Sequence, residues 1–234
     1  MKEFLFVFWP YIFALATIVL AVVVDPAECI WPPKLDLSGQ QLAMLAKTPV
    51  WLCTALPTLI GGLVLHAIAK SRGMSAMDRQ SLMWWHVNAF WFHTGCDVFS
   101  GYFQVMPVMT ELYTHMSPIH VQPRWHPERE HLDCAYGLEL YVEAPFALWL
   151  VYLFMSQDER RYLVELVALG IQFAGTVVYY LPGLMRFEHA CWLSHADRFC
   201  GSFWITFPAY VFFRTLSRAR KETGSTNGKK SKQK

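Results

Sequence analysis

Charge is what this chain has least of. Of its 234 residues only 16% are Asp, Glu, Lys or Arg, against roughly 25% in an ordinary soluble domain, while 54% are hydrophobic. That balance points to an integral membrane protein. The chain also lacks any CxxC pair, and its six cysteines, at positions 29, 53, 96, 134, 191 and 200, show no zinc-ligand spacing with histidine. No metal centre is therefore expected. There is no P-loop, no dinucleotide-binding glycine fingerprint, no G-x-S-x-G and no HExxH. Nucleotide, serine-hydrolase and zinc-protease chemistry thus find no support, and no cofactor is expected.

What is present is a series of apolar runs, each near the ~20 residues a helix needs to cross hydrocarbon. The sequence predicts six spans: 5–24, 49–69, 82–109, 133–155, 162–185 and 199–216. The first is followed by Asp25-Pro26 rather than a small-residue cleavage site, so it reads as an uncleaved helix. Residues 25–47 form a polar connection and 110–132 a His- and Pro-rich loop, while 217–234 is a basic tail with too little apolar matter to fold.

The positive charges give the orientation. With the N-terminus in the cytosol, 14 of the 20 Lys and Arg residues fall on the cytosolic side, as the positive-inside rule requires, and both termini are cytosolic. The end, Lys230-Ser231-Lys232-Gln233-Lys234, looks like a dilysine retrieval signal and so suggests the endoplasmic reticulum membrane. Anionic lipid, rather than nucleic acid, suits a basic tail that follows a membrane span. Cys191 and Cys200 flank a loop on the luminal side, where a disulfide can form.

Ionisable groups inside such spans are costly, at least about 2.5 kcal/mol for a carboxylate at the bilayer centre, and they mark functional paths or pockets. His93 and Asp97 share one helix face at a spacing of four. Glu139 and Glu143 repeat that spacing on the fourth span, just before Pro145. Thr94, Tyr141, Glu165, Gln172, Thr176, Ser202 and Trp204 complete the polar inventory. Acids and a histidine converging among Trp and Phe make a site of low dielectric, in which a carboxylic acid keeps its proton at neutral pH and aromatic faces favour a developing cation. Bland alternatives accompany these readings. His93 and Asp97 can be a structural pair, Glu143 can satisfy backbone freed by Pro145, and Glu165 can pair with Arg161 one turn away. His66 and His86, near span ends, read as interfacial.

Several stretches, in order, resemble the emopamil-binding protein family, whose founding activity is sterol delta-8 to delta-7 isomerase and whose domain is called EXPERA. They are Phe92-His93-x-x-x-Asp97 through Gly101-Tyr102-Phe103, Arg124-Trp125, Pro145-x-x-Leu148-Trp149, Gln172-x-x-Gly175-x-x-x-Tyr179 and Trp204-x-x-x-Pro208, together covering about residues 50–216. The resemblance implies an all-α integral membrane fold: a five-helix EXPERA-type transmembrane bundle over 48–216, with an additional N-terminal transmembrane helix and luminal loop in 1–47 lying outside that core. It implies a cavity open to the membrane and allows a homodimer. His93 and Trp204 match the family's proton-handling His and cation-steadying Trp, and Asp97 stands where the sterol isomerases have Glu. Tyr136 falls where they have a second catalytic Glu, Glu139 where they have Thr, and Gly201 where they have Asn.

The resemblance therefore implies His93, Asp97, Glu139 and Trp204 as catalytic residues, with Tyr136, Glu143, Gln172, Thr176 and Gly201 as substrate-binding candidates. The departures argue against a plain sterol delta-8 to delta-7 isomerase. They favour acid-initiated isomerisation or rearrangement of a lipophilic terpenoid- or sterol-like alkene or epoxide, in specialised metabolism. The alternatives are the sterol isomerase itself and a non-enzymatic sterol- or lipid-binding membrane protein.

Overall fold

The structure, a computed structural model, describes residues 1–23, 55–103, 105, 129–185 and 195–230. Every regular element among them is a helix. In chain order these are α1 (Lys2–Val7), α2 (Trp9–Val23), α3 (Leu56–Ser71), α4 (Ala76–Val87) continuing as a wider π-helical segment π1 (Asn88–Tyr102), and α5 (Glu130–Leu138). A second π-helical turn, π2 (Glu139–Glu143), leads into α6 (Ala144–Met155), and α7 (Arg161–Met185) and α8 (His195–Lys230) follow. Among the described residues, two helical stretches are long and apolar enough to cross a membrane: Glu130–Met155, of 26 residues, and Arg161–Leu181, of 21. The expected connection 25–47, most of the loop 110–132 with Arg124-Trp125, the Cys191–Cys200 disulfide and residues 231–234 of the dilysine end lie outside the described residues.

Local chemistry sets the turns. Helix α3 ends in a Schellman motif: Gly73, at φ +72°, donates to the Lys70 carbonyl at 3.0 Å, and Met74 donates to that of Ala69 at 3.0 Å. Met74 and Ala69 then pack together in the core. Ser75 caps α4 at once, accepting from the Asp78 amide at 3.2 Å. The turn between α6 and α7 uses the same device with Gln157, at φ 53°, in the left-handed position. There Arg160 binds Asp158 through two guanidinium bonds, of 3.0 and 2.9 Å, and its backbone amide, at 2.8 Å, which together hold that carboxyl down at about 2.

Helix α4 is the centre of the molecule, with every residue from Asp78 to Val87 buried. It packs against α1, α2, α3 and α6, and Trp84 and Trp85 are the largest of its fully buried side chains. Lipid tails are as apolar as Leu, so in a bilayer close packing and interhelical hydrogen bonds, rather than exclusion from water, hold such a centre together. The polar start of α4 supplies those bonds. Asp78 accepts from Arg218 of α8 at 2.6 Å and from the Tyr162 hydroxyl of α7 at 3.0 Å. Arg214 of α8 bonds Gln80 and Ser81, and Arg79 pairs with Glu3. These contacts accompany a helix α8 that runs to Lys230, past the expected end near Leu216, so Arg214 and Arg218 anchor a helix where the sequence predicts the onset of an unfolded tail.

The N-terminal helices do not stand outside this core, as the resemblance implies. Val7 and Phe8 belong to the central cluster, and Gln80 donates to the Phe6 carbonyl at 2.7 Å. Phe13, 1% exposed, stacks on Phe203 of α8 and touches Phe92 of π1. Tyr11 meets the His86 Nδ1 at 2.5 Å, so His86 is a buried helix contact rather than an interfacial residue. Replacing Phe13 with Ala is expected to destabilise the protein by about 3 kcal/mol through the cavity left behind. A lowered thermal midpoint of the detergent-solubilised variant is the check.

Candidate functional site

The two π-helical segments coincide with the two acid-bearing stretches. A π-turn closes i to i+5 bonds, and π-helix occurs mostly as single-turn bulges, frequently at functional sites; π2 has that length, whereas π1 runs for 15 residues. In π1 the widened spacing is visible in side chains as well as backbone. Thr94 Oγ1 donates to the Ala89 carbonyl at 2.5 Å, Ser100 Oγ to that of Gly95 at 2.9 Å, and the Phe103 amide to that of Val98 at 2.8 Å. π1 lies against π2, so His93 and Asp97 face Glu139 and Glu143. A buried anchor holds this pairing at one end: Arg129 donates to Asp133 at 3.2 Å and to the Gly101 carbonyl, the end of π1, at 2.9 Å.

His93 is the hub, with its side chain 2% exposed. Its Nδ1 contacts Glu139 Oε2 and lies 3.8 Å from Asp97 Oδ2. Its Nε2 faces Glu143 Oε2 at 3.7 Å. One imidazole thus has a carboxyl on each nitrogen, and neither nitrogen makes an aligned hydrogen bond. Asp97 and Glu139 keep about a fifth of their side-chain surface open, at 20% and 19%, whereas Glu143 is sealed at 4%. The set therefore has a partly open side and a closed one.

Aromatic rings form the next wall. The Trp204 ring centroid lies 6.3 Å from that of His93, and Trp204 packs edge-on against Phe92 at 5.0 Å and against Trp84 at 5.3 Å. A narrow seam between atoms is lined by Trp85, Glu143, Phe146, Ala168 and Ile171. The donor atoms of His93, Asp97 and Glu139 lie within 4.8 Å of one another, so these are the residues that could hold a divalent cation.

No protein-family model matches the chain, and no curated protein matches it.

The structure brings His93, Asp97, Glu139, Glu143 and Trp204 together. Tyr136, 2% exposed, lays its ring over Gly101, where a Cβ would come within 2.3 Å. Gln172 donates to Asn88 Oδ1 at 3.0 Å and so ties α7 to the start of π1, and Thr176 donates to the Gln172 carbonyl at 2.9 Å. Gly201 faces the Tyr180 ring. Tyr141, at 72% exposure, points away.

Two readings change. Glu165 does not pair with Arg161, whose guanidinium turns back to the carbonyls of Gln157 and Asp158. Instead Glu165 is fully buried and accepts from Trp85 Nε1 at 3.0 Å and Thr215 Oγ1 at 2.6 Å. Asn88 is the residue that the sequence reading passed over. It is fully buried, donates to the Trp84 carbonyl at 2.7 Å where α4 widens into π1, and accepts from Gln172. A buried amide in an apolar helix was the available signal.

Proposed function

We propose that this chain is a divergent member of the emopamil-binding protein family, built on its five-helix membrane bundle with an additional N-terminal helix, in the endoplasmic reticulum membrane. Its proposed activity is acid-initiated isomerisation or rearrangement of a lipophilic terpenoid- or sterol-like alkene or epoxide. The observation that carries this reading is His93, buried in a π-helical segment with carboxyls on both ring nitrogens and Trp204 beside it.

Such chemistry needs a proton donor, a proton acceptor and a surface that tolerates positive charge. Glu139 or Asp97, on the partly open side, supplies the donor, His93 orients the donor and shares its proton, and the Trp204 face steadies the cation. In an apolar, water-poor site each of these interactions is stronger than in water. Truncating the ring in Trp204→Leu removes about 1–2 kcal/mol of cation stabilisation, so turnover is expected to fall roughly 5- to 30-fold while the protein still folds. Steady-state rates, with the thermal midpoint alongside, check this.

The test is conversion of candidate alkenes and epoxides by microsomes carrying the full chain. A product of the substrate's own mass supports the reading, and unchanged candidates across sterol and terpenoid classes contradict it. Complementation of a strain lacking sterol delta-8 to delta-7 isomerase separates the sterol activity from the broader proposal.

A further inference from the structure

Glu143 is the most deeply buried acid of the site. It is 4% exposed, its Oε1 has no hydrogen-bond partner among the described residues, and its Oε2 lies 3.7 Å from His93 Nε2. It does not satisfy backbone freed by Pro145, since its N–H and C=O neighbours offer it no bond among the described contacts. The opposite helix makes room for it. Gly175 of α7 lies so close that a Cβ there would come within 2.7 Å of Glu143 Oε1. Glu143 also lines a narrow apolar seam between α4, α6 and α7, beside Trp85, Phe146, Ala168 and Ile171. Leaving a carboxyl buried and unbonded is costly, and a glycine that shelters it leaves a vacant acceptor beside His93.

We infer that Glu143 is the proton acceptor of the site, receiving the proton that an alkene substrate loses. The inference rests on the isomerase reading and divides its two proton transfers between the two sides of His93. On the open side the O–H bond of Glu139 or Asp97 breaks as a C–H bond forms at one alkene carbon, leaving a carboxylate and a carbocation. On the closed side a C–H bond next to the cation breaks, its electron pair becomes the new double bond, and its proton bonds to Glu143. One proton enters and one leaves, so the reaction is an isomerisation with no co-reactant. His93, in reach of both carboxyls, connects them.

The experiment compares full-length wild type, Glu143→Gln and Glu143→Asp in microsomes with an alkene that the wild type converts. Glu143→Gln is expected to lower kcat about 100-fold with KM little changed, and Glu143→Asp to recover part of the loss, with both variants keeping the wild-type thermal midpoint. If the midpoint falls with the rate, imidazole ¹⁵N resonances of the purified protein decide, because an acid facing Nε2 moves that nitrogen's signal when it becomes an amide. Full turnover in Glu143→Gln, or an unmoved Nε2 signal, overturns the role of Glu143 and leaves the isomerase reading standing. A wild type that converts no alkene overturns both.

Discussion

Replacing His93 with Ala is expected to lower turnover by about 100- to 10,000-fold while lipophilic ligand still binds. The imidazole is the only group in contact with Glu139 on one side and within 3.7 Å of Glu143 on the other. Its loss both uncouples the carboxyls and leaves three acids facing one another without their shared partner. Glu139→Gln is expected to lose a similar factor, because an amide of the same shape cannot give up a proton. Asp97→Asn is expected to lose less, since Asp97 lies 3.8 Å from Nδ1 and Glu139 is in direct contact. Rates measured beside retention of a radiolabelled lipophilic ligand separate chemistry from binding. Equal turnover in His93→Ala would remove the site assignment.

The second large effect is on stability. Glu165→Ala is expected to cost about 3–5 kcal/mol, because Trp85 Nε1 and Thr215 Oγ1 both lose their buried acceptor and a cavity opens between α4, α7 and α8. Thermal unfolding in detergent should show a clearly lower midpoint, with the turnover of the folded fraction unchanged. The contrast with Glu143 is instructive. Both are buried glutamates on facing helices, yet one is bonded twice and the other not at all. A satisfied buried acid locks helices together, whereas an unsatisfied one is available for chemistry.

Much of the site was legible because hydrocarbon makes polar residues expensive. That cost drew attention to His93, Asp97, Glu139, Glu143 and Glu165, and the structure gathers the first four at one imidazole. It could not say that the helices widen there, since α and π segments are built from the same residue types and differ only in which carbonyl each amide reaches. Glu165 was misread for a related reason. The local spacing rule looks along one helix, and its true partners arrive from residues 80 and 50 positions away. The N-terminal helix was set outside the core because the resembling stretches begin near residue 50, yet Phe13 closes the aromatic wall behind Trp204 by stacking on Phe203. Asn88 escaped because an amide carries no charge to draw attention, although burial makes its hydrogen bonds as necessary as those of an acid.

The central claim is that a proton from this site starts the reaction. Its most direct test is a single turnover of an alkene substrate by the full-length protein equilibrated in D₂O, read by mass spectrometry and by the position of the label. The account predicts an isomer carrying one carbon-bound deuterium, formed by wild type and absent with His93→Ala. An isomer free of solvent deuterium, or one formed equally without His93, would contradict it.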